Sequence, residues 1–125
     1  MRLLLDTHVA VWWFNDPRKV RADARAALED SSSEAFLSAA SVWEAGLKQA
    51  TGRLNLPRQL DDLGRSGGLI ELPISWDHAR VAAELPRLHG DPFDRMLVAQ
   101  ALLEGLVLVT RDLLVTQYDV ATMPA

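Results

Sequence analysis

Short, continuous apolar runs set off by turn and helix-start signals constrain this chain most. Arg2-Leu3-Leu4-Leu5 is one such run, and Leu106-Val107-Leu108-Val109 is the clearest. A strand with apolar side chains on both faces must be covered on both, which suits a parallel sheet flanked by helices. Ala35-Phe36-Leu37 and Leu69–Leu72 read as further strands, and Val120–Met123 as a candidate fifth. Helical patterns separate them. Thr7 can cap a helix through Val9–Phe14, Asn15-Asp16-Pro17 is a turn, and Val20–Leu28 is an alanine-rich helix. Ser41 opens a helix that reaches about Ala50, with Gly52 as its stop. Pro57 starts another through Leu63, ending near Gly67-Gly68, and Ser75 opens one over Trp76–Leu85. Asp91-Pro92 combines an N-cap acid with proline at the first helical position, and that helix runs to about Glu104 before Gly105 closes it. The alternation predicts an α/β fold with a central parallel sheet of four or five strands and helices on both faces. At 125 residues, a single domain spanning 1–125 is expected.

Composition narrows the chemistry. There are no cysteines, which excludes disulfides, thiolate metal sites and cysteine nucleophiles. The first apolar run is interrupted by Asp6 and His8, so it does not read as a signal peptide, and no stretch is long enough to span a bilayer. A soluble, cytoplasmic protein is expected. The net charge of −4 argues against a generic polyanion binder, yet 13 basic residues can still form a local patch.

The sheet topology then gathers acids. Ligands of open α/β sheets bind beyond the carboxyl ends of the strands. Asp6 directly follows the first strand, and Asp112 follows the Leu106–Val109 strand. Helix amino termini return to the same edge, and Glu44 and Asp94 are read as lying in the first turns of their helices. Each acid has a local alternative. Glu44 can complete a capping box with Ser41, and Asp94 can complement a helix dipole. Asp6 can cap the first helix, and Asp112 the turn beyond its strand. None of these explains a shared edge. Two carboxylates ~4 Å apart repel by roughly 4 kcal/mol at an effective dielectric of 20, so such a group shares protons or binds a cation. Oxygen donors without a histidine or cysteine cluster suit Mg²⁺ or Mn²⁺ better than zinc. A cation held this way can activate water and neutralise a transferring phosphoryl group, which favours phosphodiester hydrolysis over acyl transfer.

Five segments, in order, carry a resemblance: Leu3-Leu4-Leu5-Asp6-Thr7-His8, Ser38-Ala39-Ala40-Ser41-Val42-Trp43-Glu44, Gly52-Arg53-Leu54-Asn55-Leu56-Pro57, His89-Gly90-Asp91-Pro92-Phe93-Asp94-Arg95, and Leu108-Val109-Thr110-Arg111-Asp112. Together they span essentially the whole chain, which resembles PIN-domain proteins and, more narrowly, VapC-type toxins of type II toxin–antitoxin pairs. The resemblance implies a PIN-like fold and a Mg²⁺- or Mn²⁺-dependent endoribonuclease. It implies catalytic and metal roles for Asp6, Glu44, Asp94 and Asp112, with Asp6 and Asp94 as the leading ligands and Thr110 as an orienting hydroxyl. It also implies RNA as substrate, a VapB-type antitoxin as partner, and a homodimer. Of the two acids in Asp91-Pro92-Phe93-Asp94, Asp91 is read as the N-cap and Asp94 as the site residue.

Other residues admit paired readings. His8 can touch substrate but is read as structural, and His89 as orienting its loop. Lys48 can pair with Glu44 one turn earlier. Arg95 and Arg111 can contact RNA phosphate, balance the acids or bind an antitoxin carboxylate. Trp12 and Trp13 cannot share one helix face, so one is expected to point outward. Two rival functions remain: an α/β phosphatase with Asp6 as nucleophile, which lacks a second acid because His8 stands two residues on, and a non-catalytic metal-binding module.

Overall fold

The computed structural model describes Met1–Ala125. Five strands form one all-parallel sheet: β1 (Arg2–Leu5), β2 (Glu34–Ser38), β3 (Ile70–Leu72), β4 (Val107–Thr110) and β5 (Thr122–Pro124), ordered β3-β2-β1-β4-β5. Six α-helices connect them: α1 (Thr7–Asn15), α2 (Ala22–Glu29), α3 (Ala39–Ala50), α4 (Leu60–Ser66), α5 (Trp76–Glu84) and α6 (Pro92–Glu104). The turn at Pro17 is a short 3₁₀ segment, Pro17–Lys19, and another lies at Val115–Gln117. No helix is long and apolar enough to cross a membrane.

The pleat explains why continuous apolar strands are needed. Leu3, Leu5 and Val109 face one core with Val9 and Ala10 of α1, Ala24 of α2, Ala45 of α3 and Leu60 of α4. Leu4 and Leu108 face the opposite core with Leu97, Val98 and Ala101 of α6. Adjacent residues of a strand point to opposite faces, so each central strand needs leucine or valine at every position. Leu3, Leu4 and Leu5 are all fully buried.

Three helix starts differ from the sequence reading. Asp6, not Thr7, caps α1, accepting a hydrogen bond from the His8 amide. The Thr7 hydroxyl instead donates to Ser41 Oγ across 2.9 Å in the interior. Helix α3 begins at Ala39 with Ser38 as its cap, so the Ser41–Glu44 capping box does not form and Glu44 lies in the second turn. Helix α4 begins at Leu60 rather than at Pro57, because Leu54 and Leu56 are engaged in the connection, packed against the first core. The starts at Ser75 and Asp91 form as expected, and Gly105 ends α6 in the left-handed conformation at φ 65°.

Strand order reverses between β1 and β4. The chain builds outward from β1 through β2 to β3, then returns to the other side of β1 with β4 and β5. Such a switch point leaves a crevice at the carboxyl ends of the two strands. Asp6, whose amide donates to Val109 O at 3.0 Å, and Thr110, the last residue of β4, both stand there.

Candidate active site

The pairing of β1 with β4 brings Asp6 and Thr110 together although 104 residues separate them. The Thr110 hydroxyl donates to Asp6 Oδ2 at 2.6 Å, and Thr110 Oγ1 accepts the Asp112 amide at 3.0 Å. One threonine thus ties the first acid to the last. Asp6 is only 4% exposed. Burial pushes its carboxyl above the usual range; the Thr110 hydroxyl, the His8 amide and the His8 charge pull against that, and Glu44 adds repulsion.

Helix α6 delivers Asp94 to the same edge. Asp91 Oδ1 accepts the amides of Phe93 and Asp94 at 2.8 and 3.3 Å, and this cap, with Pro92 behind it, fixes the first turn. Asp94 projects from that turn into the crevice mouth. Its carboxyl is pushed up to about 7, first by burial and then by the charges of Asp6 and Asp91, with Glu44 adding to them and His89 opposing. Asp112 shifts the other way. Burial would raise it, but hydrogen bonds from His89 and the Leu114 amide hold its carboxyl below the ordinary value.

Glu44 reaches the site from the second turn of α3 and is 6% exposed. Its Oε2 pairs with Lys48 Nζ at 3.0 Å, the expected one-turn ion pair. Its Oε1 is buried without any hydrogen-bond partner. An orphaned buried carboxylate oxygen is costly, and its neighbours here are other acids.

His89 is the member that sequence reasoning missed. It does orient its loop: Nδ1 accepts the Asp91 amide at 3.0 Å. Its Nε2, however, lies 2.7 Å from Asp112 Oδ2 and 3.1 Å from Asp94 Oδ2. Ligand-type atoms of His89, Asp94 and Asp112 all lie within 4.8 Å of one another, while Asp6 and Glu44 stand outside this close group and act on it through charge. Burial lowers the His89 pKa, but the Asp112 hydrogen bond and the charges of Asp94, Asp112 and Asp91 outweigh it and raise the value. The Asp91 amide on Nδ1 directs the ring proton to Nε2, facing Asp112. The signal in the sequence was position alone, two residues before the helix cap.

The two arginines next to the acids do not face phosphate. Arg95 donates to the carbonyls of Ala82, Leu85 and Pro86 at 2.8, 2.9 and 3.0 Å, clamping the α5–α6 connection. Arg111 donates to the carbonyls of Lys19 and Ala125 and lies over the Trp12 ring, 4.3 Å from its centroid. Trp12 and Trp13 are both half-buried against the first core, so neither is the outward aromatic that was expected. The exposed tryptophans are Trp76, at 92%, and Trp43, at 61%, the latter set edge-on against Phe93 with ring centroids 5.0 Å apart. His8 sits on the site's rim, Nδ1 3.9 Å from Asp6 Oδ1. A half-apolar hollow of about 170 Å³ lined by Leu37, Val42 and Leu69 contains none of these acids. The chemistry sits on the rim because acids, not apolar walls, define it.

The donor set fits a hard divalent cation. It offers carboxylate oxygens, an orphaned Glu44 Oε1, and an Asp94 carboxyl pushed up to about 7 by burial and by the charges of Asp6 and Asp91. A family model described as PIN domain matches residues 3–120. Ribonuclease VapC22 of Mycobacterium tuberculosis is 33% identical over 118 residues, covering 88% of this chain and 86% of that protein. Among solved structures, VapBC2 from Rickettsia felis bound to a promoter DNA fragment superposes with a TM-score of 0.74 at 16% identity, covering 99% of this chain and 98% of that one. DNA-bound VapBC from Salmonella typhimurium gives 0.71 at 21% identity, with coverage of 99% and 98%. At those identities the likeness speaks for the fold.

Proposed function

The chain belongs to the PIN-domain family, and from that premise we propose that it is an endoribonuclease hydrolysing RNA phosphodiester bonds with Mg²⁺ or Mn²⁺ at the acid cluster. The observation that carries this reading is the convergence of buried carboxylates with too little positive charge among them. Asp6, Glu44, Asp94 and Asp112 would hold the cation. When bound, it polarises water and offsets charge on the phosphoryl group under attack.

The chain's own residues prepare that chemistry. Thr110 holds Asp6 by a hydrogen bond and pulls its carboxyl back down against the upward push of burial. Asp91 and Pro92 fix the turn that carries Asp94. Lys48 neutralises one oxygen of Glu44 and leaves the other free to accept. Low exposure of Asp6 and Glu44 limits water at the crevice floor, where charge interactions strengthen. The phosphatase alternative fares worse. The second acid that such a nucleophile needs two residues after Asp6 is absent, because His8 stands there.

The relatives' names extend the reading to biology. We propose that this chain is the toxin of a type II pair, partnered by a small VapB-type antitoxin, with a homodimer as its working form. The test is RNA cleavage by partner-free protein in Mg²⁺ or Mn²⁺, beside chelated protein and Asp94→Asn. Cleavage confined to the metal-loaded parent supports the reading. Equal activity in all three sinks it, and Mg²⁺ binding without turnover of any RNA returns the protein to the non-catalytic alternative.

A further inference from the structure

We propose that His89 is the positioning residue of the acid cluster: its Nε2–H holds the Asp112 carboxylate turned toward Asp94, so that a divalent cation meets a preformed pair. The inference rests on the metal-dependent reading above.

The tautomer carries the argument. The Asp91 amide can only donate, so His89 Nδ1, 3.0 Å away, must accept, and the ring proton sits on Nε2. That proton points at Asp112 Oδ2, 2.7 Å away, with Asp94 Oδ2 at 3.1 Å. His89 is therefore a donor to the ligands rather than a ligand. To coordinate a cation, Nε2 would have to shed its proton and Nδ1 would have to gain one against the Asp91 N–H. The ring has little freedom to do so. Its backbone amide donates to the Tyr118 hydroxyl at 3.0 Å, and that hydroxyl donates to Pro86 O at 2.8 Å. Arg95 holds the same Pro86 carbonyl from the other side. A network built from α6, the β4–β5 connection and the α5–α6 loop thus aims one N–H at Asp112, with Asp94 of a different element 3.1 Å from the same nitrogen. Partners that orient metal-ligating groups in this way typically contribute ten- to a hundred-fold to metal affinity.

Two substitutions separate the two ends of the ring. In His89→Asn the side-chain oxygen can still accept the Asp91 amide, but nothing reaches Asp112. In His89→Gln the amide nitrogen can reach the Nε2 position, while the Asp91 bond is lost. Mn²⁺ affinity of partner-free protein, measured by electron paramagnetic resonance titration alongside thermal melts, reads the difference without any turnover. The expected result is that Asn weakens Mn²⁺ binding by roughly ten- to a hundred-fold while Gln keeps most of it. Parent-like affinity in Asn, or equal losses in both variants, overturns the proposal and leaves the metal-dependent reading standing. Failure of the parent to bind Mn²⁺ overturns both.

Discussion

Replacing Asp94 by asparagine should stabilise the metal-free protein while destroying its activity. The carboxyl is raised from its ordinary 3.8 to about 7 by burial and by Asp6 and Asp91. At 1.36 kcal/mol per tenfold change in proton affinity, this corresponds to about 4 kcal/mol of strain in the ionised folded state. The side chain retains 15% of its surface at a solvent-facing rim, and screening there reduces the usable figure to about 2 kcal/mol. The sign comes from linkage. Below about pH 4 the carboxyl is protonated in both states, and the strain is absent. As pH rises toward 7 the unfolded chain releases this proton and the folded chain does not, so stability falls, and above 7 the deficit is complete. Asparagine is nearly isosteric, so it removes the charge with little change of shape. At pH 8 without metal, Asp94→Asn should melt roughly 8 °C higher than the parent for a chain of this size, and at pH 4 the two should coincide. Saturating Mg²⁺ should raise the parent's melting temperature and barely move the variant's. Scanning calorimetry across pH 4–8 tests this directly. Equal melting temperatures at pH 8, or a stabilisation that does not depend on pH, would refute the reasoning.

Thr110→Val removes the 2.6 Å donor to Asp6 and the acceptor of the Asp112 amide; it should lower stability at neutral pH by about 2 kcal/mol in urea denaturation and reduce RNA cleavage. Arg95→Met leaves the carbonyls of Ala82, Leu85 and Pro86 without their donor; a loss of about 2–3 kcal/mol is expected, with the salt dependence of RNA binding unchanged, whereas a phosphate contact would shift that slope. Gln100→Leu strands the Ser38 hydroxyl and the Pro73 carbonyl; it should cost about 1–3 kcal/mol and, by loosening the base of α3, raise the Mg²⁺ concentration required for cleavage.

The fold was legible because its strongest constraint is local and repeated. A parallel strand covered on both faces needs every residue apolar, and Leu3-Leu4-Leu5 and Val107-Leu108-Val109 meet that need openly. Helix ends that use strong local chemistry were legible too, as at Asp91-Pro92 and Gly105. The start of α3 was not. Ser38 and Ser41 are equally good caps by type, and the choice falls to Ser38, whose hydroxyl bonds Gln100 at 2.6 Å from 62 residues away. No local pattern carries that information. The same limit applies to Trp12 and Trp13: two helix faces were expected to mean one outward ring, but the Arg111 guanidinium from the far end of the chain covers Trp12.

Within the site, acids and their compensating partners differ in legibility for a physical reason. Carboxylates at strand ends and in helix first turns are placed by topology, so Asp6, Asp94 and Asp112 were readable as neighbours. What holds them depends on single hydrogen bonds between distant elements. Arg95 and Arg111, adjacent in sequence to the acids, neutralise neither; each turns away to backbone carbonyls. The groups that do face the acids are others: a hydroxyl on Asp6, an imidazole beside Asp112 and Asp94, and one lysine on Glu44. Had the arginines turned inward, Asp94 would not remain protonated up to about 7 and Glu44 Oε1 would not stand alone. Keeping both guanidinium groups out of the crevice is what leaves room for a cation, and it makes the metal-free protein less stable than its core allows.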